Sequence, residues 1–187
     1  HAGYLGFDWQ EMYLDILEEL QPRYLRAMAY WEILEPQENK FNFADIDYIL
    51  NEAEDRGVKV ILVVGLKQPR WPECHAPAWA QVESEKLKVE SEKLLNYIQE
   101  TVLRYRDNSA VFAWQVENEP FFPYGPDCGR VPKDLYKQEL ALVKSLDSRP
   151  IVVSDSGEKG DWILTALAGG DIFGSTMYRE IYHHKKQ

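Results

Sequence analysis

The sequence predicts an α/β fold: a partial (β/α)8 TIM barrel of parallel strands with outer helices. Three observations predict it. Helical and strand-like segments alternate along the chain, which implies a parallel sheet with helices outside. The clearest strand is apolar on both faces, as parallel strands are. Polar and aromatic residues also gather just after nearly every strand, at Tyr30-Trp31, Arg70-Trp71, Asn118-Glu119, Asp155 and Tyr178-Arg179. That placement favours a barrel, whose sites lie at the C-terminal rim, over an open doubly wound sheet. No GxGxxG phosphate turn follows any strand.

Each element has its own signal. Trp9, Met12, Tyr13, Ile16, Leu17 and Leu20 are spaced three and four apart, so residues 8–20 read as an amphipathic helix with Asp8 as N-cap. Residues 24–31 read as a short strand ending in a loop with Glu35 and Pro36. Helical spacing returns over 43–56 through Ile46, Ile49, Leu50 and Ala53, and Gly57 stands where a C-terminal cap belongs. Residues 58–65 are a β-branched run without alternation, the mark of a strand buried on both faces. After a loop over 67–80 come a helix over 82–106, a strand over 108–116 and a second loop rich in aromatics, Gly and Pro. Helix 133–146, strand 150–154, helix 161–168 and strand 171–177 complete the pattern.

Five strands do not close a barrel of eight. The 187 residues therefore read as one partial domain, 1–187, a piece of a longer barrel. Such an arc leaves two unpaired strand edges, and the isolated piece is expected to aggregate or to be poorly stable.

Composition narrows the function. Net charge is -10, from 31 acidic and 21 basic residues, which argues against nucleic-acid binding. Apolar runs such as residues 60–64 are far shorter than the roughly 20 residues of a membrane span. Residues 1–4 show no charged region leading into an apolar stretch, so no secretion signal is visible. The two cysteines, Cys74 and Cys128, lack zinc-site spacing, and each lies in a Pro-rich loop after a strand. Both a disulfide and two free thiols stand open; a bridge suits a secreted protein.

The sharpest motif is VFAWQVENEPFF, residues 111–122, where an apolar strand breaks into Glu117-Asn118-Glu119 against Pro120. Burying carboxylates without partners is costly, so chemistry is one explanation for them. Trp114 to Pro120 resembles the end of the fourth barrel strand in clan A glycoside hydrolases. Tyr30-Trp31, Glu35-Pro36, Phe41-Asn42-Phe43 and Asp47, followed by a helix ending in Arg-Gly and a Val-rich strand, resemble that clan's second strand and following helix. Glycoside hydrolase family 5, cellulase-like, is the member it looks most like, and the resemblance implies that the chain covers roughly barrel strands two to six, a partial catalytic domain, 1–187, without the first, seventh and eighth strands.

The resemblance implies a retaining O-glycosidase acting on β-linked glycans. Glu119 would protonate the leaving oxygen and then activate water, while a nucleophilic glutamate would end strand seven, outside this sequence. Retention needs two carboxyls about 5 to 5.5 Å apart on either side of the sugar. Glu117, two positions away on the same strand, cannot be that partner and reads as structural. By the same resemblance, Asn118 would bind the hydroxyl beside the reacting carbon, Arg26 would orient the nucleophile, and Tyr178 would lie near it. Trp31, Trp71 and Trp79 are candidate sugar-stacking platforms, and His75, in the loop that carries Trp71 and Trp79, is a candidate hydrogen-bonding residue for the substrate. No cofactor or metal is implied, since His75 has no second ligand at suitable spacing. The expected partner is a carbohydrate, with no nucleic acid and no membrane, and the expected location extracellular. The rival readings are a non-catalytic carbohydrate-binding remnant, whose sugar affinity would survive Glu119→Gln, and an unrelated parallel α/β enzyme.

Overall fold

A computed structural model describes residues 6–82, 89–124, 128–157 and 159–176. The β-branched run after Gly57 becomes β2 (Lys59–Val64), in which Val60, Leu62, Val63 and Val64 are fully buried. Consecutive residues point to opposite faces, so both faces are covered. With β1 (Tyr24–Met28), β3 (Val111–Val116), β4 (Ile151–Asp155) and β5 (Ile172–Ser175) it forms one five-stranded parallel sheet. The strands pair in sequence order, β1-β2-β3-β4-β5. A doubly wound sheet reverses its order at a switch point. This sheet does not, and its singly wound order is that of a barrel arc, as the sequence predicts.

The helices cover one side of the arc. α1 (Trp9–Asp15) is capped by Asp8, whose carboxylate accepts from Gln10 and Glu11 N–H, and it continues into a π-helical turn, Ile16–Leu20, rather than a regular helix to 20. α3 (Ala44–Asp55) buries Ile46, Leu50 and Ala53. It ends at Gly57, whose φ of +67° lets Gly57 N–H and Val58 N–H reach back to Glu54 O and Ala53 O. α4 (Ser91–Tyr105) and α5 (Lys133–Leu146) pack against each other and bury, among others, Tyr97, Val102, Tyr136 and Leu140. α6 (Trp162–Ala166) leads into β5.

Two expected boundaries move. The strand expected over 24–31 stops at Met28, and Trp31–Leu34 is a helical turn, α2. The Tyr30 carbonyl turns to accept from Ile33 and Leu34 N–H, which drops Trp31 into the core. The helix expected from 82 starts at Ser91, because Gln81 and Val89 pair across an antiparallel bridge; residues 83–88 lie outside the described ones.

Cys74 and Cys128 are joined in a disulfide, Cα atoms 5.4 Å apart, which ties the loop after β2 to the loop after β3. The bridge closes 54 residues of sequence. Loop-closure entropy for that length makes its removal cost about 2–4 kcal/mol. Cys74→Ser with Cys128→Ser, or reduction of the native chain, is expected to lower the denaturation midpoint accordingly. Equal midpoints for oxidised and reduced protein would show that the bridge contributes nothing.

Candidate active site

The C-terminal ends of β1 to β5 share one rim, and the site is assembled there. β3 ends at Val116, and the chain turns sharply through Glu117 at φ +59° and Glu119 at φ +50°. Non-glycine residues rarely adopt this left-handed region, and their presence marks a turn held by its surroundings. The holding bonds are visible. Glu117 N–H donates to Val64 O at 2.8 Å and Asn118 N–H to Lys67 O at 2.7 Å. In return the Glu117 carboxylate accepts from Leu66 N–H at 2.8 Å and Lys67 N–H at 2.5 Å. The end of β3 is thus stitched to the loop after β2 from both directions.

Glu117 is fully buried, as its structural reading requires, while Glu119 is half-buried at the rim. Backbone Glu119 N–H donates to Ser154 Oγ of β4 at 3.3 Å, and Gln115 Nε2 donates to the same hydroxyl at 3.2 Å. Its carboxylate accepts from Thr176 Oγ1, just past β5, at 2.8 Å. Three strands therefore orient one carboxylate, and the turn directs it along the rim.

Asn118 is buried, and Arg26 Nη2 from β1 donates to its Oδ1 at 2.7 Å. That bond fixes the amide: with the oxygen taken by Arg26, the NH2 group is left to donate elsewhere. Arg26 thus has its observed partner in Asn118. The amide borders Glu73, which stands at φ +76° in the loop after β2. Burial pushes the Glu73 carboxyl above its ordinary range, opposed by the positive charge of Lys67 and reinforced by the negative charge of Glu119. Lys67 itself is buried, donating to Phe122 O at 2.6 Å and Gly129 O at 3.3 Å. Desolvation holds its ammonium below the usual lysine range, against the pull of Glu117, Glu73, Glu119 and Asp155.

The aromatic residues divide. Trp31 is not a platform: it is fully buried, stacked on Tyr97 with centroids 5.5 Å apart, and its Nε1 donates to Glu35 Oε2 at 2.7 Å. Trp79 packs edge-on against Trp31 at 5.8 Å and donates to Glu35 O at 2.8 Å. Trp71 is 63% exposed and keeps a face for a ligand. His75, expected to touch substrate, is buried under Tyr30 with ring centroids 4.1 Å apart; its Nδ1 lies 3.0 Å from Glu32 Oε1 and its Nε2 3.2 Å from Arg70 O. Both ring nitrogens face groups of the chain, so His75 braces the loop instead of meeting a ligand. Tyr178 lies outside the described residues. Glu73, Ser154 and Thr176 are site residues that the motif did not indicate. Ser154 ends the strand expected over 150–154 and Thr176 lies near the end of the one expected over 171–177, so closeness to a strand's C-terminal end is a signal they share with Glu119; the bent backbone that brings Glu73 in has none. Among the described residues, no cluster of three or more His, Cys, Asp or Glu side chains is arranged to hold a metal, and no helix is long and apolar enough to cross a membrane.

Comparison with known proteins agrees with the barrel fold and with a glycoside hydrolase family. The model of a glycoside hydrolase family 42, described as beta-galactosidase, matches residues 8–149. Beta-galactosidase LacZ of Lactobacillus acidophilus is 24% identical over 113 residues, 52% of this chain and 16% of that protein. Mannan endo-1,4-beta-mannosidase F of Aspergillus clavatus is 30% identical over 123 residues, 62% of this chain and 26% of that protein. The chain thus spans only about a sixth to a quarter of these relatives. Among solved structures, a variant of GH5_18 from Streptomyces cattleya, in complex with Manb1-4GlcNAc, superposes with a TM-score of 0.64 at 18% identity, covering 83% of this chain and 41% of that one. At that identity the likeness shows the fold alone.

Proposed function

The chain belongs to the beta-galactosidase family of glycoside hydrolases numbered 42, and from that premise we propose that the whole protein is a retaining hydrolase of β-linked glycans with Glu119 as its acid/base. Membership in a clan A family agrees with the resemblance read from residues 114–120. The placement in family 5 has only fold-level likeness behind it, and the cellulase reading remains an expectation from the sequence. The observation that carries the proposal is the half-exposed Glu119 at the rim, its backbone N–H bonded to Ser154 and its carboxylate to Thr176, beside the Arg26–Asn118 pair.

A general acid needs a carboxyl whose proton stays on until the leaving oxygen needs it, and neighbouring carboxylates supply that by repulsion. Glu73 already lies close enough for its charge and that of Glu119 to act on each other. Asn118, its oxygen anchored by Arg26 and its side chain also bonded to Glu73, is the residue we assign to the sugar hydroxyl beside the reacting carbon, a contact that strengthens as the oxocarbenium-like transition state forms. The nucleophile belongs to a part of the barrel outside this sequence. Trp71 is the stacking face we assign to the sugar. The disulfide supports a location in an oxidising compartment, such as outside the cell.

Assay of the whole protein on aryl β-galactosides, mannans and β-glucans tests the reading. Hydrolysis of at least one β-linked substrate is expected, with the first sugar released in the β configuration by proton NMR. Binding of these sugars without turnover would replace it with the non-catalytic carbohydrate-binding reading.

A further inference from the structure

Behind the catalytic turn lies a second carboxyl that the proposed reaction does not use. Glu139 projects from α5 and is fully buried, and neither of its oxygens finds a hydrogen-bond donor among the described residues. An unmatched buried carboxylate is among the costliest groups a fold can hold. What it faces is the carboxyl of Glu117.

The two carboxyls are not equivalent. Glu117 accepts two backbone N–H bonds and lies near the Lys67 ammonium, so its surroundings favour the ionised form. Glu139 has no such support, and an acid with no donors around it is satisfied by keeping its proton and donating it. We propose that Glu117 and Glu139 form a carboxyl pair sharing one proton, and that ionised Glu117 in this pair is a positioning residue for Asn118 and Glu119. The inference rests on the glycosidase reading for its functional part only.

The geometry shows how positioning works. The Lys67 peptide group is gripped on both sides: its N–H by the Glu117 carboxylate and its C=O by Asn118 N–H. Loss of the Glu117 acceptor removes two of the hydrogen bonds that fix the turn carrying the acid/base to the loop after β2. The other titratable groups around the pair are Tyr136 on α5, Tyr97 on α4, Asp155 on β4 and Lys67. Of these, Lys67 alone is a cation.

Burial raises both carboxyls above the ordinary value of 4.5, Glu139 further because it faces Glu117 and lacks donors. A carboxyl with a raised folded value binds its proton in the native state while the unfolded chain has released it. Stability therefore falls as pH rises above 4.5 through the folded values. Glu139→Gln keeps a donor toward Glu117 and removes the titration, so its stability is expected to be flatter with pH.

The test uses the whole protein and two independent readouts. Infrared difference spectra at pH 7 are expected to show the C=O stretch of a protonated carboxylic acid in wild type, lost in Glu139→Gln, with the pH dependence of melting reduced in the same variant. Glu117→Gln, folded by circular dichroism, is expected to lower kcat by about 100-fold, the scale of a misplaced catalytic group. A wild-type spectrum without the protonated band overturns the shared proton, and wild-type kcat in Glu117→Gln overturns the positioning role. If Glu119→Gln also keeps full turnover, the glycosidase reading fails, while the infrared band still decides the pair.

Discussion

Glu119→Gln in the whole protein is expected to lower kcat/KM by about 10³-fold on glycosides with poor leaving groups, the range general acid catalysis supplies. The amide is isosteric and can still accept from Thr176 Oγ1, so the fold and the rim hydrogen bond remain. What is lost is the transferable proton. Substrates whose leaving group is a good anion, such as dinitrophenyl glycosides, do not need that proton in the first step, and on them the loss in the rate of bond cleavage is expected to be small. The split between the two substrate classes is what a stability defect cannot mimic. Steady-state kinetics on both, with melting curves for the variant, check it.

Gly65→Ala is expected to be strongly destabilising. Gly65 follows β2 at φ +116°, a conformation that L side chains rarely adopt. An added Cβ would also lie 2.6 Å from both Cδ and Oε1 of Glu117, inside any tolerable contact. The carboxylate cannot swing away, because Leu66 and Lys67 N–H hold it. Backbone strain of about 1–3 kcal/mol and overpacking of about 1–3 kcal/mol then act together, for a loss of about 3–5 kcal/mol. Gly57→Ala is the control: its φ is also positive at +67°, but no atom lies within 4 Å of an added Cβ, so only the cap conformation is penalised, by about 1 kcal/mol. Denaturation of both variants, read against wild type, separates strain from collision.

These two glycines also show what was legible. Gly57 closes a helix whose apolar spacing is written locally, and the sequence places it correctly. Gly65 is constrained by a carboxylate from a residue far along the chain, and no local pattern carries that. The same division runs through the fold. Strands β2 and β3 and helices α3 and α5 follow from runs and periods of their own residues. The helical turn at Trp31 depends on a cavity lined by Trp79 and Tyr97, so Trp31 reads locally as a rim aromatic and is in fact core.

The site divides likewise. The Asn-Glu-Pro segment after a buried strand marks Glu119 and Asn118, because polar residues at such a boundary need a reason. Glu73 reaches the site through a loop in which Arg70 and Glu73 both have positive φ, at +94° and +76°, and neither residue type announces that bend. His75 has the chemistry of a site residue and is spent on bracing the loop. Glu139 looks from sequence like a charged helix residue, and burial against Glu117 is a product of how α5 docks on the sheet.

The central claim is that Glu119 serves first as acid and then as base in a retaining reaction. The most direct measurement is rescue of Glu119→Ala by azide, using a dinitrophenyl β-glycoside and the whole protein. With the side chain gone, the glycosyl-enzyme forms but water is not activated, and a small anion that needs no base takes its place. The account predicts that azide restores turnover and that the product is the β-glycosyl azide. An α-glycosyl azide, or a Glu119→Ala variant that hydrolyses as fast as wild type without azide, would contradict it.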